Sequence, residues 1–203
     1  MTTHYNAFIS YRHNERDTLV ASALQTQLER FHIPKAIQEK TGVKKINRIF
    51  RDQNELELTS DLGKDIDDAL ENSDFLIVVL SNAYNESKWC LHEIDQFLKT
   101  HDHDHIMAVL SEGEPPGIFP DQLLHKTETR TDEAGNPVTV VTDIEPLACD
   151  YRMDLKKASR IELPRLVSGM LGCEYDDLVM RNETYRRNRM IAEIGRASCR
   201  ERV

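Results

Sequence analysis

The chain has 203 residues, enough for one domain with a sizeable core, and its 39% hydrophobic and 30% charged composition is that of a soluble globular protein. A formal net charge of -9 argues against a nucleic-acid surface, which rests on clustered Lys and Arg. No positively charged segment followed by an apolar one opens the sequence, and no apolar run approaches the roughly 18 residues of a membrane span, so the expectation is a cytoplasmic chain with no nucleic-acid or membrane partner.

The first predicted strand covers residues 5–11 and exits into the polar turn Arg12-His-Asn-Glu-Arg16. Asp17 reads as the N-cap of a helix whose Leu19, Val20, Ala23, Leu24, Leu28 and Phe31 share one apolar face, until Ile33-Pro34 ends the run. A second strand is expected over 46–50, then an acidic loop over 51–62, then a helix from near Gly63 that carries Ile66, Ala69 and Leu70. Phe75-Leu-Ile-Val-Val-Leu80, closed by Ser81-Asn82, reads as a buried parallel strand. The helix over 86–98 that follows carries Trp89, the only tryptophan, and Glu93 four residues later, hence on the same face. A carboxylate beyond the carboxyl end of such a strand sits where open α/β sheets bind ligands. A fourth strand is expected over 106–110, ending at the loop 112–117.

Strands alternating with helices imply a parallel sheet covered on both faces. The rhythm breaks at 126–145, where two Thr- and Val-rich segments flank Asp132-Glu-Ala-Gly-Asn-Pro137 and predict an inserted β-hairpin, either a plain surface insertion or a ligand or partner surface. A further strand through 146–149 and a helix over 161–171 complete the domain.

Cys90, Cys149, Cys173 and Cys199 show no CxxC or CxxH spacing and read as reduced thiols, with Cys90 either a small buried hydrophobe or a reactive group beside the helix of Glu93. His101-Asp-His-Asp-His105 is read as a solvated connection rather than a metal site. Residues 179–192 are expected to form a basic helical stub or linker. Residues 193–203, with three arginines in the last eight positions, resemble the translation of a sequencing-adapter read and are expected to be non-native, replacing a continuation such as a membrane anchor or effector module.

Phe8-Ile-Ser-Tyr-Arg12, Arg51-Asp52 with the acidic loop to Gly63, and Leu80-Ser81 leading to Trp89-Cys-Leu-His-Glu93 occur in order on alternating strands and helices. Together they resemble the TIR (Toll/interleukin-1 receptor) domain family in its bacterial NAD-cleaving branch, with a domain over 1–178. The loop departs from the family pattern, because Thr59-Ser60 stands where a Pro-Gly pair is frequent. The resemblance implies an α/β, flavodoxin-like three-layer sandwich with a central parallel β-sheet, the hairpin being an addition.

It also implies cleavage of the nicotinamide-ribose bond of NAD+, giving nicotinamide and ADP-ribose or a cyclic isomer, in bacterial immune defence or signalling. NAD+ would be a substrate, with no further cofactor and no metal, and other TIR domains would be partners by self-association. Glu93 is the implied catalytic residue. Ser10, Tyr11, Arg12, Asp52, Ser81 and Trp89 are the implied substrate contacts, with an ion pair for Arg12, a capping role for Asp52 and Ser81, and core packing for Trp89 as the alternatives. Two rival functions are a non-enzymatic TIR-TIR interaction module and an N-glycosyl transferase acting on nucleosides; retention of the glutamate favours the enzyme.

Overall fold

A computed structural model describes residues 3–51, 62–131 and 137–179. Five strands, β1 (Ala7–Tyr11), β2 (Ile49–Phe50), β3 (Leu76–Leu80), β4 (Ile106–Leu110) and β7 (Ala148–Asp150), make one sheet in the order β2-β1-β3-β4-β7. Every pairing in it is parallel. Such a sheet must be covered on both faces, which accounts for the uninterrupted apolar residues of β3, all buried.

The helices among the described residues include α1 (Glu15–Glu29), α2 (Lys35–Thr41), α3 (Leu62–Glu71), α4 (Lys88–Phe97), the one-turn α5 (Asp121–Leu124) and α6 (Leu155–Leu171). One apolar cluster joins Ala7, Ile9 and Tyr11 of β1 to α1, α2 and α6, and reaches Leu178. A second joins Phe8 to α3, α4 and α5 on the opposite face. This is the three-layer flavodoxin-like arrangement expected from the alternation of elements.

Local chemistry corrects several boundaries. The N-cap of α1 is Asn14, whose side chain accepts from Asp17 N, while Asp17 lies inside the first turn and is buried. The apolar stripe of α1 is Val20, Ala21, Leu24 and Leu28, and Leu19 stays 51% exposed. Beyond Pro34 the chain does not stop being helical: α2 starts at Lys35 and ends at Gly42, whose φ of 76° is the left-handed C-terminal conformation glycine favours. β2 is two residues long, and α6 begins six residues before the expected start, at an N-cap, Asp154, that accepts from Lys156 N and Lys157 N.

Strands β5 (His125–Thr131) and β6 (Pro137–Asp143) pair antiparallel as a separate two-stranded ribbon, the predicted hairpin. The histidine tract disperses: His101 stacks on Phe97, His103 Nε2 meets the carbonyl of Gln122, and His105 Nδ1 meets Asp102. Among the described residues no cluster is placed to hold a metal ion, and no helix is long and apolar enough to cross a membrane. The Thr59-Ser60 loop, the 179–192 stub beyond residue 179, and the 193–203 tail lie outside the described residues.

Candidate active site

In the order β2-β1-β3-β4-β7, successive strands are added on opposite sides of β1, so the chain changes direction between β1 and β3. Ligands in open α/β sheets bind outside the carboxyl ends of the strands at such a point. A cleft of about 260 Å3 opens there, lined by Tyr11, Arg12 and His13 after β1, Gly63 and Ile66 of α3, and Ser87, Trp89, Cys90 and Glu93 of α4 and its cap.

Alternation along β1 decides which side chains face α4. Ala7, Ile9 and Tyr11 belong to one face, so Phe8 and Ser10 point to the other. Helix α4 is set by its cap, Ser87 Oγ accepting from Cys90 N at 3.3 Å. Glu93, six residues on from that cap, is thereby brought over β1, and Ser10 Oγ donates to Glu93 Oε2 at 2.5 Å. Glu93 is only 6% exposed, yet it lines the cleft. Four residues earlier on the same helix face, Trp89 is 64% exposed and lines the same cleft, so the tryptophan is not a core residue.

Behind the wall, Tyr84 in the 3-10 helix Tyr84–Glu86 places its hydroxyl 2.7 Å from Ser10 Oγ. Burial, and after it the proximity of Cys90 and Glu93, pushes the Tyr84 phenol well above its ordinary value, so it is a neutral hydroxyl. Burial likewise pushes the Cys90 thiol up to about 11, which makes Cys90 a packing residue rather than a nucleophile at neutral pH. Tyr11 Oη accepts from Arg51 Nη1 at 3.3 Å, and Arg51 Nε donates to Gln25 Oε1 at 3.1 Å, so a buried guanidinium backs this side of the cleft.

Of the residues the sequence pointed to, Tyr11, Arg12, Trp89 and Glu93 come together in the cleft. Ser10 does not line it but stands behind Glu93, because strand parity turns its hydroxyl toward α4. Ser81 stands apart, its hydroxyl donating to Asp17 Oδ2 at 2.6 Å. Asp52 lies outside the described residues. Sequence reasoning missed Tyr84; the available signal was a tyrosine three residues before the Ser-x-Trp that opens α4. It also missed the cleft wall formed by Gly63 and Ile66 of α3.

The sequence profile of the TIR domain family matches residues 7–136, the span that contains the cleft. The chain belongs to the TIR domain family. This TIR domain is 33% identical over 200 residues to the NAD(+) hydrolase ApTIR of Actinoplanes sp., in an alignment covering 86% of this chain and 24% of that protein. The chain thus spans about a quarter of the length of that curated relative. Among solved structures, the TIR domains of the activated Roq1 resistosome recognizing the pathogen effector XopQ are 28% identical, covering 52% of this chain and 57% of theirs with a TM-score of 0.37. The TIR domain of the Toll-related receptor TRR-2 from Hydra magnipapillata is 17% identical, covering 82% of this chain and 98% of its own with a TM-score of 0.47.

Proposed function

We propose that this TIR domain cleaves the nicotinamide-ribose bond of NAD+, with Glu93 as the catalytic carboxylate. The observation that carries the reading is the placement of Glu93: nearly buried, held by Ser10 at 2.5 Å, and facing a cleft it shares with Arg12 and Trp89. Similarity to a protein named NAD(+) hydrolase supports it.

The chemistry fits a single acidic residue. Glycoside hydrolysis ordinarily needs a general acid because an alkoxide leaves poorly. Nicotinamide in NAD+ is already a pyridinium and departs as a neutral base, taking the bonding electron pair. Positive charge then develops at the anomeric carbon, where a fixed carboxylate stabilises it. Water adds to that carbon and loses a proton, giving ADP-ribose; capture by a group of the same molecule gives a cyclic isomer instead.

At about 260 Å3 the cleft is smaller than the ~300–1,000 Å3 of pockets that enclose a drug-sized ligand, so it suits the nicotinamide and ribose half. Trp89 offers that half a flat apolar face, and Arg12 a planar donor fork for ribose or pyrophosphate oxygens. Self-association with other TIR domains and a cytoplasmic role in bacterial immune signalling belong to the same proposal.

The test is chromatography of NAD+ incubated with concentrated protein, following nicotinamide and the ADP-ribose species, for wild type and Glu93→Ala. Nicotinamide release should fall by about a hundredfold or more in the variant with the fold retained. Equal release from both proteins would remove Glu93 from the reaction.

A further inference from the structure

A phenol and a serine hydroxyl each carry one proton, and counting those protons orders the hydrogen bonds behind Glu93. Ser10 Oγ gives its proton to Glu93 Oε2 at 2.5 Å, so toward Tyr84 it can only accept. Tyr84 Oη stands 2.7 Å from Ser10 Oγ and 3.5 Å from the carbonyl of Cys90, and the shorter contact takes the phenolic proton. The donors therefore run from Tyr84 to Ser10 to the carboxylate, all three side chains being buried.

With a proton on Oε2, Glu93 would need this chain reversed, donating to Ser10, Ser10 to Tyr84, and Tyr84 to the distant Cys90 carbonyl; with the proton on Oε1, Oε2 would still accept from Ser10, but as a weaker, uncharged acceptor. The geometry favours the ionised form, and bonds in such a chain strengthen one another. We propose that Tyr84 is a positioning residue that acts through Ser10 to keep the Glu93 carboxylate ionised and aimed into the cleft. Its effect on turnover rests on the function proposed above; its effect on the carboxylate does not.

Among the described residues, the ionisable groups around these hydrogen bonds are Cys90 on α4, which also hydrogen-bonds Ser10, and Asp17 on α1, both acting on Tyr84, together with Arg12 and His13 on the cleft side. Tyr84→Phe changes none of them and removes one oxygen from a buried ring, so the fold is expected to persist.

The experiment compares wild type, Tyr84→Phe, Ser10→Ala and the double variant by two readouts. One is the pH profile of nicotinamide release from NAD+. The other, independent of turnover, is the 13C shift of the Glu93 carboxyl against pH, assigned with Glu93→Gln. In Tyr84→Phe, kcat should fall about tenfold with KM unchanged, and both the acid limb of the profile and the carboxyl titration should move to higher pH, because a donor to the ionised form is lost. Ser10→Ala should do the same or more, and adding Tyr84→Phe to it should change nothing further, since Tyr84 acts only through Ser10.

A Tyr84→Phe protein whose carboxyl titration coincides with that of wild type, or a Tyr84→Phe effect undiminished when Ser10 is alanine, would overturn the proposal. A moved titration in a chain that leaves NAD+ intact would support the positioning role while the proposed reaction failed.

Discussion

Ser81, the first residue beyond β3, donates from Oγ to Asp17 Oδ2 on the first turn of α1 at 2.6 Å. The other carboxylate oxygen of Asp17 accepts from Ser111, the first residue beyond β4, and Asn14 Nδ2 donates to Oδ2 at 2.7 Å. One buried carboxylate thus fastens the carboxyl ends of two neighbouring strands to the helix that follows β1. Asp17→Ala would leave the buried Ser81 and Ser111 hydroxyls without this acceptor, and should cost about 3 kcal/mol, read as a shift in the urea midpoint at unchanged slope. Ser81→Ala should cost about 1 kcal/mol, and the two losses should combine less than additively.

Gly113, in the loop after β4, has a φ of 78°, and a Cβ there would lie 2.5 Å from both Asn82 Oδ1 and Ile118 Cγ2. Its carbonyl also accepts from Arg152 Nη1 at 2.8 Å, so the loop is held from both sides. Gly113→Ala should destabilise the domain by about 2 kcal/mol or more, combining left-handed strain with overpacking. At Gly42, where φ is 76° but no atom approaches within 4 Å, alanine should cost only about 1 kcal/mol. Thermal unfolding of the two variants side by side separates strain from collision.

Hydrogen bonds from Arg152 hold the Asp150 carboxyl below its ordinary range. A depressed folded value means that this contribution to stability is fully present above the unfolded value, about 3.9, and is lost as pH falls through the folded one. Asp150→Asn should therefore flatten the loss of stability below about pH 4, measured as unfolding midpoints in a pH series, and should weaken the domain at pH 7.

Burial pushes Cys90 up to about 11 and Cys149 up to about 12, whereas Cys173 is half-buried. At pH 8, among the described cysteines, Cys173 should be alkylated first, with Cys90 slower than a free cysteine by on the order of a hundredfold and Cys149 by on the order of a thousandfold, as followed by peptide mass spectrometry. Rapid modification of Cys90 would contradict its placement as a packing residue.

Where apolar residues repeat at the period of one element, the sequence was readable. β4 falls at its expected limits, β3 and α4 fall within theirs, and Ile66, Ala69 and Leu70 form the buried face of α3 as expected. Asn14 and Asp17 are both capping residue types three positions apart, and nothing in the sequence says that the second is needed under the sheet ends. Pro34 was read as a stop although the same ring is tolerated at a helix start. In the site, the family motif located Glu93, Arg12 and Trp89. The partners of Ser10 and Ser81 were illegible because a hydroxyl is chosen by whatever lies across the sheet, and both partners, Glu93 and Asp17, are more than 60 positions away.

The two edge strands of the central sheet, β2 with two residues and β7 with three, are its shortest. They present little open backbone for an incoming strand to zip onto. Copies of this domain that stack would therefore do so through side chains on helices and loops rather than by lengthening that sheet, and such contacts, unlike a β-ladder, can be tuned or abolished by single substitutions.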